Sequence, residues 1–246
     1  MINLKYLKDM LLYEMKRVYR KPMNTKLVFE DSYETNITLN KDLWRVENNI
    51  RWWSSEKQFY IDSPKTIFIK DGLLNIRCFY NKKSKRIESS YLHTKNKNNI
   101  KYGSIEIEAK LPDTNMKDIF AYIWMMPEYS GSPWPLCGEI DIMEYNTRFD
   151  NIINTNLHKV DGGIKIKHHC NNLSSEIHKF RIDWWENAIE FFIDGKRKFT
   201  YYKSKNNWPF YKPYYLIMNL AYTNSEIDKN FDTTFYIKKV TMKQKI

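Results

Sequence analysis

The chain has 246 residues, 42% of them hydrophobic, enough to bury one large core or two small ones. Its net charge of +11 raises the question of nucleic acid, but the lysines are scattered apart from short runs such as NKKSKR (81–86) and KNKNN (95–99). With no basic-aromatic motif, a solvated basic surface is expected rather than a nucleic-acid site, and an anionic polysaccharide remains a third option. Aromatics reach 16%, a surplus that suits β-sheets and surfaces that stack on flat ligands.

Residues 2–20 put Ile2, Leu4, Leu7, Leu11, Met15, Val18 and Tyr19 near one helical stripe, and Pro22 then breaks the pattern. The expectation is a short amphipathic helix within an N-terminal extension of residues 1–26, packed on the main domain or frayed. The longest apolar run near the start, Met10–Tyr13, is bracketed by Asp9 and Glu14. No recognisable export signal is therefore expected, and no run approaches membrane-spanning length. The compartment stays open.

From Leu27 onward the period is two. KTIFIKDGLLNIRCFY (65–80) reads as strand, Asp-Gly turn, strand. GSIEIEAKL (103–111) alternates, as do segments of 179–202, 214–222 and 233–242. The prediction is an all-β fold with no helix beyond residue 26, arranged as a two-sheet sandwich over residues 27–246. Only seven glycines serve all the turns, so Asn, Asp and Lys must fill many of them.

GEIDIMEY (138–145) sets three acids into an otherwise apolar strand. Side chains alternate along a strand, so Glu139 and Asp141 share one face while Ile140 and Ile142 take the other. Glu144 returns to the acidic face only if one extra residue is inserted, which predicts a β-bulge near Met143. Two glutamates would then flank an aspartate with carboxyls about 5–6 Å apart, a separation that suits a retaining glycosidase pair. At that distance one group should hold a proton near neutral pH. A solvated strand edge and a calcium site are the alternatives, although calcium loops rarely use Ile-rich strands. Three cysteines at unpaired spacings support neither a disulfide framework nor a zinc site. The HHC run (168–170) lacks a second ligand pair at a usual spacing, so no metal and no cofactor is expected.

GEIDIME, with Trp134, Pro135 and Cys137 just ahead, resembles the signature of glycoside hydrolase family 16, the laminarinase-type endo-β-glucanases. SEKQFY (55–60), DGLLNI (71–76), SSYLHTK (89–95), YGSIEIEAKLP (102–112), IWMMP (123–127), NLH (156–158), DWWENAIEFFIDG (183–195) and YYLIMNLA (214–221) continue the resemblance in the family's order. It implies a β-jelly-roll sandwich whose concave sheet forms the substrate cleft. It also implies Glu139 as nucleophile, Glu144 as acid/base and Asp141 as the residue that orients Glu139. Trp124 and Trp134 match positions that stack on sugar rings, and His158 and Asn219 match positions that hydrogen-bond sugar hydroxyls or the acid/base. Trp52 and Trp53 would line the far end of the cleft, and Trp184 would belong to the core. The inserted Met143 resembles the laminarinase, agarase and carrageenase branches, and Ala221 leans the same way.

Some positions depart from the family pattern. Phe120-Ala121 replaces a common Trp-Pro, Thr223-Asn224 replaces Gly-Gly, and Glu108 stands where Arg is frequent, expected to face the cleft. These departures bear on substrate identity. The expected function is a monomeric, retaining endo-β-glycanase acting on a polysaccharide, β-1,3- or mixed-linkage glucan first. The alternatives are a non-catalytic glucan-recognition module and a transglycosylase or hydrolase of another, sulfated glycan.

Overall fold

The computed structural model describes residues 22–51, 55–113, 115–203 and 207–246. The helix expected within residues 2–20 and the Trp52-Trp53 pair expected at the far end of the cleft lie outside the described residues. The described chain runs through β1 (Thr25–Ser32), β2 (Arg45–Val46), β3 (Phe59–Tyr60), β4 (Ile67–Lys70), β5 (Leu73–Asn81), β6 (Arg86–Ser89), β7 (Tyr91–His93), β8 (Gly103–Lys110) and β9 (Ile119–Pro127). It continues through β10 (Glu139–Asn146), β11 (Ile152–His158), β12 (Ile164–His169), β13 (His178–Trp184), β14 (Ala188–Ile193), β15 (Lys196–Tyr202), β16 (Tyr214–Tyr222) and β17 (Asp232–Lys245).

Turn chemistry follows the residue types. Asp71-Gly72 and Asp194-Gly195 close the β4–β5 and β14–β15 hairpins with both residues at positive φ, the backbone that matches strand twist. Asn49, Asn96, Asn151, Asn172 and Asn207 also hold positive φ. Asparagine and aspartate tolerate that region best after glycine, which is how so few glycines serve so many turns.

Two sheets result. The outer sheet has the order β15-β14-β13-β8-β17-β5-β6-β3, with β1 added to β17 and β4 to β5; the other runs β12-β11-β10-β9-β16-β7-β2. They stack face to face, and alternate residues of β8 (Ile105, Ile107, Ala109) and of β10 (Ile140, Ile142) enter one shared core. Trp184 is buried in that core, as its segment suggested. Glu108 is a correction. It projects from the solvent face of the outer sheet, 3.3 Å from Lys179 on the neighbouring strand. Alternation gave the right periodicity for β8, but which sheet a strand joins is decided by long-range pairing that alternation does not encode.

Candidate active site

Strand β10 sits inside the seven-stranded sheet between β9 and β11. Its entry is fixed by Gly138, at φ +84°, where a Cβ would lie 2.4 Å from the Tyr214 hydroxyl and 2.8 Å from Pro209. That hydroxyl donates to the Cys137 carbonyl at 3.1 Å. A side chain at 138 would therefore push apart the contacts that aim Glu139.

The bulge is present. Asp141 faces Asn156 on β11 and Glu144 faces Asn154, so three steps along β10 match two along β11. On the other flank Asp141 faces Trp124 and Met143 faces Ile123. Ile142 and Met143 both point into the core, at 2% and 0% exposure, and Glu144 is returned to the face of Glu139 and Asp141. A local doubling of the core-facing residue thus turns an alternating strand into a three-acid constellation.

The three acids line a trench of about 730 Å³ together with Trp124, Trp134 and Asn219. Trp134 donates its indole N–H to Glu139 Oε2 at 2.8 Å while its ring stays largely exposed. The same ring lies 5.3 Å from the His158 ring, at 50°. His158 Nε2 is 3.3 Å from Asp141 Oδ2 and 3.7 Å from Glu139 Oε1. Its other neighbour at that nitrogen is the Asn156 amide, 2.9 Å away. Glu144 Oε2 meets the half-exposed Lys165 ammonium at 2.9 Å.

Burial, then repulsion from Asp141, pushes the Glu139 carboxyl up to about 8. Asp141 is raised well above its ordinary value, by its own burial first and then by Glu144. Two carboxyls this close cannot both ionise comfortably, so the pair holds a proton near neutrality. Glu139, Asp141 and His158 each offer a ligand atom within 4.8 Å of the others, a spacing that a divalent cation could bridge. The Trp134 N–H occupies the other carboxylate oxygen of Glu139, Oε2.

Beneath the acids runs a buried chain of hydrogen bonds. Trp124 donates to Asn219 Oδ1 at 2.8 Å, Asn219 Nδ2 to the Tyr60 hydroxyl at 3.0 Å, and Tyr60 to Glu56 Oε2 at 3.0 Å. Gln58 also donates to Glu56, at 2.5 Å, and accepts from the Tyr222 backbone at 2.8 Å. Asn219 therefore holds the Trp124 indole upright in the trench floor. Glu56, itself lining the trench, was missed in the sequence. The available signal was the stripe Glu56, Gln58, Tyr60, every second residue polar, at 6%, 0% and 0% exposure. Tyr122 was missed too: it shares the trench face of β9 with Phe120 and Trp124, and its ring stacks on Phe120 at 5.5 Å and 7°.

Comparison with known proteins agrees with this geometry. The profile described as Glycosyl hydrolases family 16 matches residues 54–238. The chain belongs to glycoside hydrolase family 16. Among family 16 relatives, it is 29% identical over 231 residues to a glucan endo-1,3-β-glucosidase A1 of Niallia circulans, covering 82% of this chain and 32% of that protein. It is 29% identical over 240 residues to a glucan endo-1,3-β-glucosidase of Cryptopygus antarcticus, covering 81% of this chain and 87% of that one. The chain thus spans about a third of the first relative's length and most of the second's. The laminarinase catalytic domain of Thermotoga maritima superposes with a TM-score of 0.78 at 26% identity, over 91% of this chain and 99% of that one.

Proposed function

We propose that this chain is a retaining, endo-acting β-glycan hydrolase whose substrate is β-1,3- or mixed-linkage β-glucan. The observation that carries the reading is the bulge at Ile142–Met143, which gathers Glu139, Asp141 and Glu144 on one wall of an aromatic-lined trench. A non-catalytic recognition module would have no need to crowd one buried and two half-buried acids beside one another, at the electrostatic cost this entails.

In this reading Asp141, the more deeply buried of the two, holds the proton of the coupled pair and presents it to Glu139. Glu139 is then a carboxylate oriented by the Asp141 hydroxyl and the Trp134 N–H. It attacks the anomeric carbon as the bond to the departing sugar oxygen breaks, and that oxygen takes a proton from Glu144. In the second step Glu144 removes a proton from water. The water oxygen bonds the anomeric carbon, and Glu139 leaves as a carboxylate. Lys165, half exposed, holds Glu144 in the resting trench and is free to swing aside when a sugar occupies it. Trp134 offers an exposed indole to the apolar face of a pyranose, and the Phe120–Tyr122 stack offers a second such surface.

The substrate class rests on the similarity to the two glucan endo-1,3-β-glucosidases and to the Thermotoga laminarinase. A sulfated glycan is the second reading, favoured by the Lys165 ammonium beside Glu144. We take residues 27–246 as the catalytic unit, acting as a monomer. The test is a panel of laminarin, lichenan, xyloglucan, agarose and carrageenan, with product size and the first-formed anomer read by chromatography and NMR. Laminarin and lichenan should fall to short oligosaccharides with the β-anomer appearing first. Release of glucose alone would reject endo action, an α-anomer first would reject retention, and cleavage of carrageenan but not laminarin would move the substrate to the sulfated class.

A further inference from the structure

Away from the trench, three side chains with metal-binding atoms converge from separate elements. Cys170 follows β12, the edge strand of the trench sheet; His178 opens β13, and Asp194 forms the β14–β15 turn, both in the outer sheet. His178 Nδ1 lies 2.9 Å from Asp194 Oδ2 and 3.6 Å from Cys170 Sγ. All three ligand atoms fall within 4.8 Å of one another. A tetrahedral ion with bonds of about 2.0–2.3 Å spreads its ligands roughly 3.3–3.8 Å apart. The observed separations need only a small retreat of Asp194, whose side chain is 45% exposed and can make it.

His178 stands at the centre of the cluster, between Asp194 and Cys170. Its Nε2 faces the Asn172 carbonyl at 3.4 Å, and its Nδ1 faces a carboxylate and a thiol. A neutral imidazole carries one N–H and cannot satisfy acceptors on both sides. In the tautomer that gives Nε2–H to the carbonyl, the Nδ1 lone pair faces Asp194 and Cys170, the orientation a metal-ligating imidazole takes. His178 is buried, which holds its ring in this orientation.

Neighbouring backbone groups already hold two of the ligands in place. Asp194 Oδ1 accepts from the Lys179 backbone N–H at 2.9 Å, and the Cys170 N–H donates to the Asn151 carbonyl at 2.9 Å. A ring N–H on a backbone carbonyl, with the other nitrogen free for metal, is the usual support of a ligating histidine. The ligands stand 8 and 16 residues apart, spacings that only the fold brings together, which is why the HHC run looked incomplete in the sequence.

We propose that Cys170, His178 and Asp194 form a binding site for a zinc-class divalent transition metal that ties the edge of the trench sheet to the outer sheet. A thiolate, an imidazole and a carboxylate suit a borderline-soft ion and leave a fourth position for water. Calcium and magnesium, which take oxygen ligands, do not fit the thiolate. The site is structural: it lies outside the trench and touches none of the three acids.

The test strips the whole chain of metal with a chelator and titrates it with Co²⁺, then with Zn²⁺. One Co²⁺ per chain should bind with a sulfur-to-cobalt charge-transfer absorption in the near ultraviolet, which Zn²⁺ displaces. Cys78 and Cys137 are buried away from solvent, so the band reports Cys170. Cys170→Ser should abolish the band, and Asp194→Asn should weaken binding at least about 10-fold. Zn²⁺ should raise the Tm of the wild type but not of Cys170→Ser. Both variants retain the volume of the native residue, and equal Tm values for their metal-free forms and the wild type's would show them folded. Absence of the band, or Co²⁺ binding unchanged by both substitutions, would overturn the proposal. The latter result would assign the ion to Glu139, Asp141 and His158, which offer no sulfur.

Discussion

Two strands of this molecule carry nearly the same pattern, and the difference between them is instructive. In β8, Glu106 and Glu108 alternate with buried Ile105 and Ile107; in β10, Glu139 and Asp141 alternate with buried Ile140 and Ile142. On β8 each acid meets a cation across the strand: Glu108 has Lys179 at 3.3 Å, and Glu106 has Arg181 at 3.9 Å. On β10 the acids meet each other, with one histidine and one lysine at the margin. Paired acids at a solvent face are solubilising and near-neutral for stability. Clustered acids in a trench carry unfavourable electrostatics, which is the ground for the catalytic role proposed for them. The comparison breaks most sharply by replacing one acid from each strand. Glu139→Gln should lower kcat by about 10⁴-fold or more on laminarin with an unchanged Tm, because charge is lost and volume is kept. Glu108→Gln should leave kcat within about twofold and cost less than about 1 kcal/mol in thermal unfolding. Equal, small effects from both would remove the distinction and the nucleophile with it.

The second strongest contrast lies within β10, across the bulge. With the roles proposed above, Glu144→Ala removes the proton donor but not the nucleophile, so the loss should depend on the leaving group. Laminarin cleavage should fall about 10²–10⁴-fold, while an aryl glycoside with an acidic phenol should lose far less. Equal losses on the two substrates would mean that Glu144 does not protonate the leaving oxygen.

How much of this was legible beforehand follows from what alternation encodes. It placed the hairpins at Asp71-Gly72 and Asp194-Gly195, the run of β16, and the bulge beside Met143, since each depends on local backbone chemistry. It could not say which sheet a strand joins, and so Glu108 was aimed at the wrong surface. Nor could it show that Glu56 belongs to the trench. The segment around Glu56 pairs little within its own stretch, and its neighbours Asn219 and Tyr222 lie far along the chain. The Cys170–His178–Asp194 cluster failed for the same reason: its members come from both sheets.

A smaller contrast separates the two trench tryptophans. Trp134 is 57% exposed and Trp124 is 8% exposed, locked to Asn219. Trp134→Ala should raise KM about 10-fold with little change in Tm, the size expected for losing one aromatic face against a sugar. Trp124→Ala should lower the Tm as well, because it also opens a cavity under the trench. If Trp134→Ala leaves KM unchanged, its indole serves only to orient Glu139, and the effect should appear in kcat instead.

The smallest effect on catalysis, and the cleanest on stability, concerns Glu56. Its carboxyl is raised from 4.5 to about 7 by burial, against the opposing hydrogen bonds from Tyr60 and Gln58. An unfolded chain releases this proton above about pH 4.5, whereas the folded chain keeps it to about 7, so the folded state binds more protons in that window. Stability therefore falls as pH rises from 4.5 to 7, and the whole loss, about 3 kcal/mol, is in place above 7. Glu56→Gln keeps the volume and an acceptor for Tyr60 but cannot ionise. Glu139 and Asp141 titrate alike in both proteins, so the difference between their Tm–pH curves isolates Glu56. The curves should converge at pH 5 and separate by pH 8, with the variant the more stable relative to its own value at pH 5. Parallel curves would mean that Glu56 is already charged in the folded trench, and that its two donors outweigh its burial.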